Sequence, residues 1–422
     1  MTGKLGLVFF VLHDIIGRST EMKEYIMNQN HLALITELRH QLHAHPELSL
    51  QESDTRQFLM EFIKKHTTLE VVDRGSWFYA YYQGRRETEN RESGTTAACG
   101  PIAFRADFDA LPMEESIDLP YASEHPGVAH KCGHDGHSAA LAGLALELAG
   151  TEQEEGSESL FRPKRDVYLI FQHAEEIGAG GETCAQLIAE KGISEVYAFH
   201  NWSGFPEQSV IVRSGTIQCA SKGLTICMEG TPAHASEPEN GMNPAAALSD
   251  LVLAVKDEVE EPGYAGMVMA TVVNVAIGSR NFGIAAYQGE VSMTLRAQYE
   301  HDMRMLEEEI RDHARHLAEV EGLKLSFEES DVFPETVNAP EAVEKVRRAA
   351  EQQGLRVIDL EKPIRGSEDF GYYLKQCPGA IFYIGNGEEY PQLHTCGFDF
   401  NDRILETAVD LFERMIGDSS TL

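Results

Sequence analysis

Apolar positions along the chain follow two spacings, one typical of helices and one typical of strands. Between His31 and Leu42, leucine and isoleucine recur at helical spacing, which predicts a helix. Continuous apolar runs at residues 101–107, 167–172 and 196–202 predict buried strands, and each run ends in polar side chains. Strands that alternate with helices indicate an α/β sheet with a candidate site at the carboxyl ends of its strands.

The middle of the chain has a different pattern. After about residue 214 the strands alternate apolar and polar positions, and helices separate them. The order strand, helix, strand, strand, helix, strand resembles a split βαβ unit inserted into the first domain. We therefore predict a smaller α+β domain at residues 215–330, inserted into a discontinuous catalytic domain formed by residues 29–214 and 331–418.

Length and charge limit the class of protein. A chain of 422 residues agrees with two domains, because a domain takes roughly 100 to 200 residues. The formal net charge of −33 argues against nucleic acid and an anionic membrane surface as partners, since both require basic patches. The same charge favours solubility and says little about the fold.

The cysteines and the N-terminus bear on location. Seven cysteines are scattered along the chain with no readable disulfide framework, which favours a reducing compartment and a cytoplasmic location. The apolar run near residues 4–16 is shorter than the about 20 residues that span a bilayer, and no small-residue cleavage site follows it. We predict that residues 1–28 are an extension outside the fold.

A loop rich in metal-ligand side chains lies between His130 and His137. It is flanked by glycines and runs into a strongly helix-forming segment. Thiolate and imidazole are good ligands for Zn²⁺ and similar ions, so Cys132 and His134 are candidate ligands. His130 and His137 are equally compatible with hydrogen bonds to local backbone groups.

Further candidate ligands follow other predicted strands. Glu175 and Glu176 follow the strand at residues 167–172, and neighbouring side chains in extended backbone point opposite ways. One carboxylate can therefore bind metal while the other acts as a base toward water. Each such residue alone is more often structural. The five candidate ligands together exceed the four that one structural zinc needs, which predicts two metals; they are Cys132, His134, Glu176, His200 and His394.

Six sequence motifs occur in order along the chain. They are Arg39-x3-His43-x-His-Pro-Glu47, Arg105-Ala-Asp107-Phe-Asp109, His130-Lys-Cys-Gly-His134, Phe171-Gln-His-Ala-Glu-Glu176, Gly230-Thr-Pro-Ala-His234 and Gly366-Ser-Glu-Asp-Phe370. Together they resemble the co-catalytic metallopeptidase family of aminoacylase and carboxypeptidase G. The match is closest to the family's amidohydrolase branch of hippurate hydrolases, N-acyl-amino-acid hydrolases and auxin-conjugate hydrolases. The resemblance extends from about Leu32 to Met415 and implies a mixed-sheet α/β catalytic domain with an inserted dimerisation or lid domain.

The resemblance also implies roles for individual residues. Glu175 matches the general base, and Asp109 matches the aspartate that supports the metal centre. His234 matches the histidine that reaches the partner subunit's active site and helps hold the developing oxyanion, which implies a homodimer. The positions that match the ligands of two divalent cations, with Zn, Mn, Co and Ni all acceptable, are Cys132, His134, Glu176, His200 and His394.

The chain departs from the family pattern at three places. Ala129 stands where the family usually has methionine, and His173 stands where proline is common. The usual Asn-Val-Ile-Pro is replaced by Asn281-Phe-Gly-Ile284. None of these positions is a proposed ligand or the base, so they bear on substrate preference rather than on catalysis.

The predicted function is metal-dependent hydrolysis of the amide bond of N-acyl amino acids or related small amides. One alternative is a dipeptidase or carboxypeptidase with the same dinuclear centre. The other is a metal-binding protein without catalytic activity, against which the intact Glu175 argues, because metal binding needs only Glu176.

Overall fold

The computed structural model describes residues 27–84, 100–153, 163–260 and 263–418. Its helices are α1 Gln29–Ala44, α2 Ser53–His66, α3 His134–Gln153, α4 Gly181–Lys191, α5 Ala245–Glu260, α6 Glu300–Glu321, α7 Pro340–Gln352, α8 Gly371–Leu374 and α9 Leu405–Gly417. Its strands are β1 Glu70–Asp73, β2 Phe78–Tyr82, β3 Ile102–Asp107, β4 Val167–Gln172, β5 Glu195–Ser203, β6 Val210–Val212, β7 Gly215–Gln218, β8 Ala220–Glu229, β9 Val268–Ile277, β10 Gln288–Ala297, β11 Lys324–Phe333, β12 Thr336–Asn338, β13 Val357–Asp359 and β14 Gly379–Gly387.

An eight-stranded mixed sheet forms the larger layer, in the order β1-β2-β4-β3-β5-β14-β6-β13. The central strands β4, β3, β5 and β14 are parallel neighbours, while β2 pairs with β4 in the antiparallel direction. The sheet and its helices confirm the predicted α/β class with a mixed sheet.

Both faces of this sheet are covered, which explains why its central strands read as continuous apolar runs. On β3, Ile102 and Phe104 pack into one core with residues of α1, α3, α7 and α9. Ala103 points the other way, into a second core that includes residues of α4 and α8. Because the central strands run parallel, their carboxyl ends lie at one edge, where the candidate site residues are attached.

A four-stranded antiparallel sheet forms a second layer, in the order β11-β8-β10-β9. The apolar positions of α5 and α6 cover one of its faces and form a third core with alternate residues of the strands. The chain enters and leaves this region through β7 and β12, which pair with each other. We propose the inserted domain at residues 215–330 on this basis, within a catalytic domain formed by residues 29–214 and 331–418.

The described part of the chain starts within the predicted N-terminal extension. Met27 is buried in the first core, and its backbone N–H donates to Asp410 Oδ1 at 3.1 Å. Asn28 caps α1 by accepting a hydrogen bond from the backbone N–H of Asn30. These two residues therefore belong to the fold, and the remainder of the predicted extension lies outside the described residues.

Candidate metal centre

The loop that carries Cys132 is held in place by close backbone packing at Gly133. Gly133 has φ +105°, and a Cβ at this position would lie 2.2 Å from Asn201 Oδ1 on β5, so only glycine fits. Helix α3 begins at the next residue, His134. The loop therefore presents one thiol and one imidazole at the edge where the parallel strands end.

The structure brings together all five predicted ligands. Cys132 Sγ lies 3.4 Å from His200 Nε2, on β5, and 3.3 Å from His394 Nε2, in the loop after β14. Glu176 faces two of the imidazoles, with Oε1 at 3.7 Å from His134 Nε2 and Oε2 at 3.6 Å from His394 Nε2. Two triads of ligand atoms thus share the Cys132 thiol: Cys132, His134 and His200, and Cys132, Glu176 and His394.

The unpaired atoms of this cluster fit a cation. His134 Nε2 and Glu176 Oε1 are buried and make no hydrogen bond to any described residue. A buried polar atom without a partner costs about 1–3 kcal/mol, so native structures rarely leave one. Divalent cations would satisfy these atoms, and a mixed thiolate, imidazole and carboxylate set suits Zn²⁺ and its neighbours among the transition metals.

The buried acidic groups of the cluster also favour divalent cations at this site. Burial raises the pKa of Glu175 well above its ordinary value, and the nearby carboxylates of Glu368 and Asp369 raise it further. Burial also raises the pKa of Glu176, to about 7, and that of the Cys132 thiol well above its usual range. Divalent cations would compensate this charge and favour the thiolate and carboxylate forms.

Asp109 orients His134, as expected for a residue that supports a metal centre. The His134 Nδ1–H lies 3.0 Å from the Asp109 backbone carbonyl and 3.1 Å from Asp109 Oδ1, which leaves Nε2 facing the cluster. The other oxygen, Oδ2, accepts hydrogen bonds from the Ser49 hydroxyl at 2.7 Å and from the Glu176 backbone N–H at 3.0 Å. Burial opposes a charged His134, but Asp107 and Asp109 outweigh it and raise the pKa of the imidazole to about 10, so this position attracts positive charge.

His200 is prepared as a neutral ligand. Its Nδ1–H donates to the backbone carbonyl of Asn201 at 2.7 Å, so Nε2 carries the free lone pair that faces Cys132. Burial, together with the neighbouring His137, holds the pKa of His200 well below its usual value. A neutral imidazole with a fixed tautomer is the form that binds a metal.

The other two histidines of the loop have supporting positions. His137 bridges Asp107 Oδ1 at 2.6 Å and Asn201 Oδ1 at 2.7 Å, and it thereby ties α3 to two strands. His130 is buried, and neither of its ring nitrogens has a partner among the described residues. Burial lowers its pKa to about 4.

Arg105, Glu368 and Asp369, from two of the six motifs, form a buried ion cluster for which no role was predicted from the sequence. Arg105 is buried in the middle of β3, and its guanidinium contacts Asp107 at 2.5 Å, Glu368 at 3.0 Å and Asp369 at 2.7 Å. Its Nε–H donates to Gln172 at 3.0 Å. An arginine inside an apolar strand was the available signal, because a buried guanidinium requires acidic partners.

His234 is not part of this cluster. It lies in the segment between β8 and α5, where its Nδ1 contacts the Ser236 hydroxyl at 2.7 Å. Its backbone pairs with Ile284 in an isolated antiparallel bridge. Within the described residues it makes no hydrogen bond to any of the five candidate ligands.

A thiol, three imidazoles and paired carboxylates at the carboxyl ends of a mixed α/β sheet define a metal-dependent hydrolase. The chain belongs to peptidase family M20/M25/M40, which it matches over residues 103–418. It is therefore a metal-dependent hydrolase of amide or peptide bonds, and its site is one for divalent metals.

Individual relatives cover nearly the whole chain. The N-acetylcysteine deacetylase of Bacillus subtilis is 28% identical, over 91% of this chain and 96% of its own length. The hippurate hydrolase of Campylobacter jejuni is 27% identical, over 90% and 94%. The solved structure of YxeP from Bacillus subtilis, described as a dinuclear metal-binding peptidase of the M20 family, matches with a TM-score of 0.74 and 24% identity, over 92% and 98%.

Proposed function

We propose that the protein hydrolyses the amide bond of N-acyl amino acids, including hippurate-like substrates. The relatives named for N-acetylcysteine deacetylation and for hippurate hydrolysis support this substrate class, since both compounds are N-acyl amino acids. The charge of the chain agrees with a small-molecule substrate and with no role in nucleic-acid binding.

Cys132, His134, Glu176, His200 and His394 would hold two divalent cations, as Zn, Mn, Co or Ni. Bound there, the cations supply Lewis-acid polarisation of the amide carbonyl and promote ionisation of water. Glu175 takes the proton from the attacking water and delivers it to the leaving amine. Asp109 fixes the tautomer of His134 and the position of the Glu176 backbone.

The observation that carries this proposal is the placement of Glu175 beside a complete ligand set. Its Oε2 lies 3.8 Å from His134 Nε2, and its side chain is buried. Its carboxylate lies within 4.8 Å of ligand atoms of His134 and Glu176, beside the two triads that share the Cys132 thiol and outside both of them. Burial raises its pKa well above the usual value, and this higher proton affinity suits the carboxylate to general-base catalysis.

Two neighbouring variants test the division of roles between binding and proton transfer. Glu175→Gln should keep both metals and lower kcat by about 10²- to 10⁴-fold, because only the base is removed. Glu176→Gln, the matched control, should lose metal. Metal analysis and hydrolysis of hippurate and N-acetyl amino acids measure both effects. Near-normal turnover by Glu175→Gln would exclude it as the base.

The substrate class has its own test. A panel of N-acyl amino acids is compared with dipeptides that carry a free amino group, using the same metal-loaded protein. We expect hydrolysis of the acylated compounds. Preferential cleavage of the dipeptides would establish a dipeptidase instead, and stoichiometric metal without hydrolysis of either group would establish a binding protein.

We further propose a homodimer formed through the inserted domain. Strand β9 is an edge strand of the second sheet and exposes Val273 and Val275. The segment beside His234 exposes Phe282 almost completely, at 95%. A second copy of the chain would cover these side chains and bring its His234 to the metal centre.

For location, we propose the cytoplasm. The six cysteines in the described part of the chain are free thiols, which agrees with a reducing compartment. None of the described helices combines the length and the hydropathy that a bilayer span requires.

A further inference from the structure

A fully buried lysine lies inside the metal-binding loop, between His130 and Cys132. The Lys131 side chain has no exposed surface, and its ammonium contacts the Glu115 carboxylate. It also donates to the backbone carbonyl of Phe398 at 2.7 Å. Burying an ammonium is costly unless it is paired and hydrogen-bonded, so both contacts contribute to the stability of this conformation.

The carbonyl that Lys131 binds belongs to the loop that carries His394. The backbone carbonyl of Lys131 also accepts a hydrogen bond from the His394 N–H, at 2.7 Å. The same residue therefore holds this loop at two points, one on each side of Thr395. A third hydrogen bond to this loop runs from the Ser116 N–H to the Cys396 carbonyl, at 3.0 Å.

His394 needs such support more than the two other candidate imidazole ligands do. His134 lies in α3 and His200 in β5, whereas His394 lies in a loop and its side chain is 52% exposed. Its backbone has φ +57°, in the left-handed region that costs a non-glycine residue of order 1 kcal/mol. Only surrounding contacts can hold it there.

The acidic partner of Lys131 is itself fixed. Glu115 Oε1 lies 2.9 Å from His43 Nε2, and Oε2 accepts the backbone N–H of Ser123 at 2.7 Å. Burial opposes its ionisation, but these bonds and Lys131 outweigh burial and lower the pKa of Glu115 to about 2. Lys131 thus connects the His394 loop to an anchor that does not depend on the metal.

We propose that Lys131 is a positioning residue for His394 and thereby sets the affinity of the metal subsite that includes His394. This inference rests on the proposed assignment of His394 as a ligand. Lys131 contacts the loop through its ammonium and its backbone carbonyl. A neutral side chain of similar size would therefore keep the backbone hydrogen bond to His394 and lose the link to Phe398. The loop would then sample positions in which His394 Nε2 does not face Cys132.

The test compares two buried lysines. Metal-free Lys131→Met is titrated with Zn²⁺ against a competing chelator and, separately, with Co²⁺, whose absorption reports the ligands. With either metal, we expect the subsite that includes His394 to bind its ion at least tenfold more weakly than in the wild type, and the other subsite to bind as in the wild type. A loss of this size is the range seen when a supporting contact of a metal site is removed. With excess Zn²⁺, kcat should recover while KM stays unchanged.

Lys345→Met is the matched control. Lys345 is equally buried, and it pairs with Glu195 at 2.9 Å, at the opposite end of β5 from His200. It should lose stability without losing metal. If both variants weakened the His394 subsite equally, general destabilisation would explain the effect and the proposal would be overturned. Wild-type metal affinity in Lys131→Met would also overturn it.

A third variant separates this inference from the ligand assignment. His394→Ala should lose the same ion, and the double variant should lose no more than His394→Ala alone, because Lys131 acts through His394. If His394→Ala kept both ions, the ligand assignment would be wrong. If His394→Ala lost one ion while Lys131→Met kept both ions, the ligand assignment would stand and only the proposed role of Lys131 would be wrong. Should Lys131→Met not fold, Lys131→Gln, whose shorter neutral side chain loses the ion pair with Glu115 and weakens the contact with Phe398, should show the same loss to a smaller degree.

Discussion

Asp109 binds three groups at once, although it is not itself a predicted metal ligand. One oxygen faces the His134 imidazole, and the other accepts the Ser49 hydroxyl and the Glu176 backbone N–H. It thereby fixes the tautomer of one candidate ligand and the backbone of another. This arrangement explains why the position must be acidic rather than merely polar.

Asp109→Asn is expected to weaken metal binding by about 10- to 100-fold, since an amide cannot accept on both sides. Its NH₂ group would face either His134 Nδ1–H or the Glu176 N–H, and two donors cannot pair. Chelator competition with Zn²⁺ measures the change. Ser49→Ala, which removes one hydrogen bond and leaves the carboxylate, is the control and should have a smaller effect. Unchanged affinity in Asp109→Asn would contradict the supporting role.

At the residue scale, the sequence predicted which side chains converge better than how they are held. Cys132, His134 and Glu176 could be found because thiols, imidazoles and paired acids after strands are chemically conspicuous. The contacts of Arg105 with Glu368 could not, because they join residues far apart in the chain. Such pairs depend on the register of β3 and on the loop that follows β13, which no local pattern specifies.

Long elements were predicted and short ones were not. Helices α1 and α6 and strand β4 carry enough apolar positions to show a period, and the structure confirms them. Strands β6, β12 and β13 have three residues each and are stabilised by pairing with partners distant in sequence. A three-residue window contains no period to detect.

Helix α9 contains a buried acid that makes stability depend on pH. Asp410 is buried, and burial, together with Glu406, raises its pKa to about 7. The nearby Glu147 raises it further, while Met27 N–H and Arg414 lower it. A raised carboxyl pKa means that the folded state binds the proton more tightly. The contribution of protonated Asp410 to stability is therefore complete below the ordinary carboxyl pKa and is lost as the pH rises through about 7.

Asp410→Asn should therefore increase the free energy of unfolding at pH 8 by about 1–3 kcal/mol, and the gain should shrink as the pH falls toward 4. Urea denaturation of both proteins across this range measures the difference. Asp257→Asn, at an exposed position of α5, is the control and should show no such trend. A gain of the same size at every pH would show that ionisation of Asp410 is not its cause.

At the scale of the whole molecule, the order of elements predicted two layers. The split βαβ pattern could be found because β8 to β11 and their two helices follow one another directly in the chain. The mixed order of the larger sheet could not, since β14 pairs with β5 and β6 across long separations. No pattern in the sequence provides a physical basis for the proposed contact of His234, because that contact would join two copies of the chain.

Complementation between two inactive variants tests that contact. Glu175→Gln lacks the base but keeps His234, and His234→Ala keeps the base. If His234 acts in the partner's site, mixing the two under conditions that exchange subunits should restore about a quarter of wild-type activity, because half of the dimers are hybrid and each hybrid has one intact site. Sedimentation of each variant confirms dimers, and unmixed samples give the baseline. No recovery from verified hybrids would show that His234 does not act in the partner's site, whereas a monomer in solution would exclude the dimer itself.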